Sequence, residues 1–111
     1  MYTNGVRKSK GLILMINERK QGDSCRTSIT FSAGLFVAER NSKDQAKKIL
    51  EEAAEVYSAW ERIDDTIKIA DECADVIQSA MNMMYALGMD KYGIEAAMSR
   101  CLKRNKERGR C

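Results

Sequence analysis

The stretches ILEEAAEV, residues 49–56, and IADECADV, residues 69–76, decide how this chain folds. Each runs Ile, two variable positions, Glu, a small residue, Ala, an acidic residue and Val. Residues three and four apart share one face of an α-helix. Each stretch therefore reads as a turn and a half of amphipathic helix carrying a carboxylate pair, Glu52/Glu55 in the first and Glu72/Asp75 in the second.

Working outward, Ser42-Lys43-Asp44-Gln45 has the form of a capping box, with Ser42 as the N-cap. The helix it opens is expected to run to about Ile63, with Ile49, Ala53, Val56, Trp60 and Ile63 on one apolar face. Asp64 or Asp65 caps a second helix, about 65–87, which stops at Gly88. Asp90 starts a third, to about Glu107, with Ile94, Ala97, Met98, Cys101 and Leu102 inward. The second helix has two apolar stripes. One holds Ile69, Cys73, Val76, Ala80, Met83 and Leu87, and the other Ile67, Ala70, Ala74, Ile77, Met81 and Met84. A helix apolar on both sides is covered on both sides. A chain of 111 residues can hardly do this alone. The fold class expected is all-α, an antiparallel helical bundle completed by homo-oligomerisation, as a homodimer or homotetramer. Residues 42–111 form the helical domain. Residues 1–41 form an N-terminal segment in which GLILMI and RTSITF fit short elements without deciding between helix and strand.

Composition narrows the chemistry. There is no Pro, and no apolar run reaches the ~20 residues of a membrane span. The apolar stretch near the start lacks a cleavage site, so a cytoplasmic location is expected. With no His, there is no imidazole base. Cys25, Cys73, Cys101 and Cys111 are too scattered for a zinc site, and Cys73 reads as a small core residue. Charge is unevenly spread. Residues 1–43 hold eight basic and three acidic side chains, residues 44–75 ten acidic and four basic, and residues 91–111 seven basic and two acidic. An acidic middle between basic ends suits a cation together with the anion it carries, and equally suits charges that pair across a bundle.

Packed antiparallel through their apolar stripes, the two helices bring Glu52, Glu55, Glu72 and Asp75 to the edge of one seam, with Glu51 and Asp71 beside them. Four carboxylates in one place repel unless a cation joins them. An all-oxygen set suits Mg²⁺ or Mn²⁺, which fill their remaining positions with phosphate oxygens and water.

Glu52-x-x-Glu55, sixteen residues, then Glu72-x-x-Asp75 resembles the ExxE…ExxD signature of the all-α nucleoside triphosphate pyrophosphohydrolases. That superfamily includes MazG, the dimeric dUTPases and phosphoribosyl-ATP pyrophosphohydrolase. Glu51 extends the match to EExxE. Asn82 and the ending Lys103-Arg104-Asn105-Lys106-Glu107-Arg108-Gly109-Arg110 resemble the downstream Asn and basic tail of small phage and bacterial MazG-like proteins. The resemblance covers about residues 43–110. It implies Mg²⁺-dependent conversion of an NTP or dNTP to the monophosphate and pyrophosphate. The metal would be held by Glu52, Glu55, Glu72 and Asp75, with Glu51, Glu52 and Glu55 catalytic. Asn82, Lys103, Asn105, Arg108 and Arg110 would bind substrate.

Two other classes remain open on the residues alone. A non-enzymatic helical interaction protein would use the same bundle and the same basic ends. A nucleic-acid binder would use the basic tail, although Tyr92 is the lone aromatic in residues 88–111. Neither a nucleic-acid partner nor a membrane is expected.

Overall fold

The structure is a computed structural model that describes residues 26–37 and 41–110. The described residues are helical or irregular, with no strand among them. The helices are α1 (Ser42–Glu61), α2 (Thr66–Ala86) and α3 (Lys91–Glu107). Residues 26–37 are without regular structure, so the Thr-Ser-Ile-Thr-Phe run is no strand here, and GLILMI lies outside the described residues. Two compact units divide the chain, residues 31–96 and residues 97–111 with 1–30. No helix among the described residues is long and apolar enough to cross a membrane.

Each helix starts on a side-chain cap. Asn41 Oδ1 accepts from the Asp44 amide at 2.9 Å and Asp65 Oδ1 from the Lys68 amide at 2.8 Å. Asp90 Oδ1 accepts from both the Tyr92 and Gly93 amides. The first cap corrects the sequence reading by one residue. Asn41 caps as well as Ser42 does, and Ser42 becomes the first helical residue. Gln45, expected to close the capping box, is instead buried, 1% exposed.

The three helices end alike. Two backbone bonds close each last turn: Asp64 to Ala59 and Ile63 to Trp60 in α1, Met89 to Met84 and Gly88 to Tyr85 in α2, Arg110 to Asn105 and Gly109 to Lys106 in α3. This is the Schellman pattern, which needs a left-handed residue at the turn. Gly88 and Gly109 supply it with φ of 95° and 70°. In α1 the same place falls to Ile63, at φ 58°. A β-branched residue is strained there, and Ile63 is also 88% exposed. α1 therefore ends at Glu61, earlier than its apolar pattern suggested.

Within residues 31–96, α1 and α2 pack against each other through the tight turn 62–65, which makes them an antiparallel pair. The seam coincides with the expected apolar stripe only in part, sharing Ile49, Val56, Ile69 and Val76 with it. Gln45 and Ala59 on α1 and Ser79 and Asn82 on α2 are buried, and Ile49, Glu52, Val56, Ile69, Glu72 and Val76 are among the half-buried positions. Ala53, Trp60, Ile63 and Cys73 face solvent. The face is turned by roughly 50°, about half the ~100° step between successive helical residues, from that reading, because hydrophobic periodicity does not register inward polar side chains. Small Ala59 and Ser79 allow close helix approach, whereas bulky Leu50, Tyr57, Trp60, Ile67 and Ile77 stay outside. Both sequence copies thus contribute Ile, Glu, Val and a small residue to a single seam.

Candidate functional site

The turned seam draws Glu52 and Glu72 from the flank into the interface, where their side chains are only 17% and 13% exposed. Asp75 lies one turn further along α2 and is exposed. One oxygen from each of Glu52, Glu72 and Asp75 lies within 4.8 Å of the others. Unit charges at such distances repel by roughly 3–4 kcal/mol per pair at an effective dielectric constant of ~20, and less where water enters.

Each inner glutamate has a cation from its own helix. Lys48 Nζ is 3.1 Å from Glu52 Oε2 and Lys68 Nζ is 3.3 Å from Glu72 Oε2. Both are i,i+4 pairs, and both lysines directly precede the isoleucine of their repeat. The repeat is thus one residue longer at its start than the apolar pattern reveals. Attention to acidic spacing alone passed over these lysines. Two monovalent ammonium groups offset part of the repulsion among three carboxylates. The donor set, three carboxylates with oxygens close enough to share one ion, fits a hard divalent cation.

The other residues singled out in the sequence are distributed as follows. Glu51 and Glu55 are exposed on α1, and Glu55 is outside the close group of three. Asn82 is buried on α2, two turns beyond Asp75 and 4% exposed. Its Oδ1 accepts from Gln78 Nε2 at 2.8 Å and from the Phe36 amide at 3.3 Å. Gln78 Nε2 also donates to the Gly34 carbonyl at 2.7 Å. Asn82 and Gln78 therefore fasten the extended segment around Gly34–Phe36 to α2. Gln78 had no sequence signal, since a lone amide on a helix flank has no telling spacing.

Lys103, Asn105, Arg108 and Arg110 belong to the unit of residues 97–111 and 1–30. The Arg-Gly-Arg ending is not a loose end. Arg110 Nη1 donates to Asn105 Oδ1 at 3.0 Å, on top of the Schellman bonds through Gly109. Asn105 thus steadies the tail by a side-chain hydrogen bond. Its Nδ2 also contacts Cys101 Sγ at 3.8 Å.

Comparison with known proteins places this geometry. Residues 15–101 match the family model described as phosphoribosyl-ATP pyrophosphohydrolase. The chain belongs to the phosphoribosyl-ATP pyrophosphohydrolase family. No curated protein and no solved structure matches it. The family's enzymes are hydrolases acting on acid anhydrides and are typically dependent on a divalent metal, so of the three classes left open by the residues the enzyme holds. All three clustered carboxylates, both lysines and the Gln78–Asn82 pair fall within the matched stretch. The match starts well ahead of residue 42, in the segment the sequence reading could not place, and stops before Lys103.

Proposed function

We propose that the protein is a Mg²⁺-dependent nucleoside triphosphate pyrophosphohydrolase, cutting between the α and β phosphates to give the monophosphate and pyrophosphate. The observation that carries this is the group of Glu52, Glu72 and Asp75 across the α1/α2 seam, inside the family match. The substrate class is an NTP or dNTP, phosphoribosyl-ATP included because the family is named for it. Mg²⁺, or Mn²⁺ in its place, would supply charge neutralisation for the phosphates and activation of the attacking water when held by these carboxylates.

The remaining roles belong to side chains. Glu52, Glu72 and Asp75 hold the cation, and Glu55 joins them by rotation of an exposed side chain. Glu51, also exposed, accepts the proton as the water oxygen bonds to the α phosphorus and the bond to the bridging oxygen breaks. Asn82 shapes the site through the segment it fastens and offers its amide to the substrate. The cationic tail, with Lys103, Asn105, Arg108 and Arg110, binds phosphate, Arg108 in the bidentate manner open to guanidinium. That tail favours the small MazG-like type within the superfamily.

The same reading includes an oligomer. Leu50, Tyr57, Trp60, Ile67 and Ile77 are exposed in the single chain, and a second subunit that covers them would complete a four-helix core, as a dimer or a tetramer. Incubation with a panel of nucleoside triphosphates and Mg²⁺ tests the activity. Pyrophosphate and monophosphate in equal amounts, abolished by a chelator, are expected; release of orthophosphate, or no turnover of any member, would overturn it.

A further inference from the structure

We propose that Lys48 and Lys68 are a pair of exchangeable counter-ions, bound to the metal-site glutamates in the free protein and to the phosphate chain of the substrate in the loaded one. The proposal rests on the metal reading above and adds two residues that the acidic signature does not include.

Three observations carry it. First, the pairing is duplicated. Lys48–Glu52 and Lys68–Glu72 are the same i,i+4 bridge, at the same place in each repeat, with separations of 3.1 and 3.3 Å. Second, among the described residues the glutamates so paired are the inward ones. Glu52 and Glu72 are largely withdrawn from water, where a carboxylate needs a compensating charge. The lysines themselves stay 38% and 53% exposed, with their ammonium groups carried on long, flexible stems. Third, α1 and α2 run in opposite directions, and each lysine lies four residues before its glutamate. The two lysine backbones therefore stand toward opposite ends of the seam, each about 6 Å of helix rise from that of its glutamate, and each side chain reaches back along its helix to the carboxylate.

The exchange follows from charge balance. Once Glu52 and Glu72 share a divalent cation, the ammonium groups lose their attraction to those carboxylates and are repelled by the cation. Phosphate oxygens bound over the same carboxylates then lie within reach of both lysines. An ammonium group binds phosphate as a compact point charge with three donors. Lys48 and Lys68 would grip the two ends of the phosphate chain and favour substrate and cation together over cation alone.

The signature is a pair of effects with opposite sign. Lys48→Met and Lys68→Met remove a competitor for the glutamates, so Mn²⁺ alone, titrated into the protein and followed by electron paramagnetic resonance, should bind about two- to fivefold more tightly. The Mn²⁺-loaded variants should bind inorganic tripolyphosphate, followed by calorimetry, about tenfold more weakly. Lys48→Arg and Lys68→Arg keep the charge and should resemble wild type in both, and circular dichroism verifies that every variant is folded. Mn²⁺ affinity that is unchanged or weaker in the folded Met variants, or unaltered tripolyphosphate affinity, would overturn the exchange while leaving the metal site in place. A wild-type protein that binds no Mn²⁺ would overturn the metal reading and this one together.

Discussion

Replacing Asp75 by Asn should make the metal-free protein more stable and the metal-loaded protein comparatively less so. Asp75 has one oxygen within 4.8 Å of oxygens of both Glu52 and Glu72. Removing its charge relieves two repulsions. Each is about 1 kcal/mol if screened as in water and about 3 kcal/mol at an effective dielectric constant of ~20. Asp75 is exposed, and Lys48 and Lys68 already offset part of the charge on its neighbours, so the low end applies. With the two repulsions summed and partly offset by those lysines, a gain of roughly 1–2 kcal/mol follows, and each kcal/mol is about 4–8 °C in Tm for a small domain. Asn is nearly isosteric, so packing should not change. Millimolar Mg²⁺ reverses the order, because a ligand stabilises only the state that binds it, and the variant lacks one of the carboxylates proposed to hold the cation. Thermal unfolding followed by circular dichroism, in chelator and in Mg²⁺, gives four midpoints. The variant should melt higher in chelator, and wild type should gain far more from Mg²⁺. A variant that melts lower in chelator, or gains as much from Mg²⁺ as wild type, would show that these carboxylates form a solvated helix face.

Three further outcomes follow from other parts of the molecule. Ile63→Gly puts glycine where the other two helices have it, and relief of left-handed strain should raise stability by about 0.5–1 kcal/mol in urea unfolding; a loss would mean that the exposed side chain is held by something outside the chain. Arg108→Ala and Arg110→Ala, both on the surface, should shift stability by less than about 0.5 kcal/mol and raise KM several-fold, and an unchanged KM would remove the tail from the site. Sedimentation at micromolar concentration should give a dimer or tetramer, and Trp60→Glu should shift it toward monomer; a folded wild-type monomer would contradict the role given to the outer apolar face.

The helices were legible in the sequence because their signals are local. Asp65, Gly88, Asp90 and Gly109 mark starts and stops by short-range hydrogen bonding, and the structure uses each one as such. The choice of buried face was legible only in part: Ile49, Val56, Ile69 and Val76 are withdrawn from solvent as expected, whereas Ala53, Trp60 and Cys73 are exposed. On α1 and α2 the apolar residues form more stripes than one neighbouring helix can cover, and the seam took the positions of Gln45, Glu52, Ser79 and Asn82. Hydrophobic periodicity ranks those residues as outward. Three of the four carboxylates expected to converge still lie together, because the rotation is similar on both helices. A shared register survives a common rotation. Lys48 and Lys68 were missed because a lysine one turn from a glutamate looks like ordinary surface pairing until the glutamate is found to be inside. The Gln78–Gly34 and Asn82–Phe36 bonds span more than forty residues, a separation at which local pattern carries no information.

The central claim is that Glu52, Glu72 and Asp75 hold the divalent cation that meets the substrate's phosphates. Crystals grown with Mn²⁺ and a nucleoside triphosphate whose α–β bridge is non-hydrolysable would test it through the anomalous signal of manganese. The account requires a manganese peak at coordination distance, about 2.0–2.3 Å, from oxygens of Glu52, Glu72 and Asp75, with α or β phosphate oxygens on its open side. A nucleotide and manganese bound together elsewhere, with Lys48 and Lys68 still on their glutamates, would contradict it.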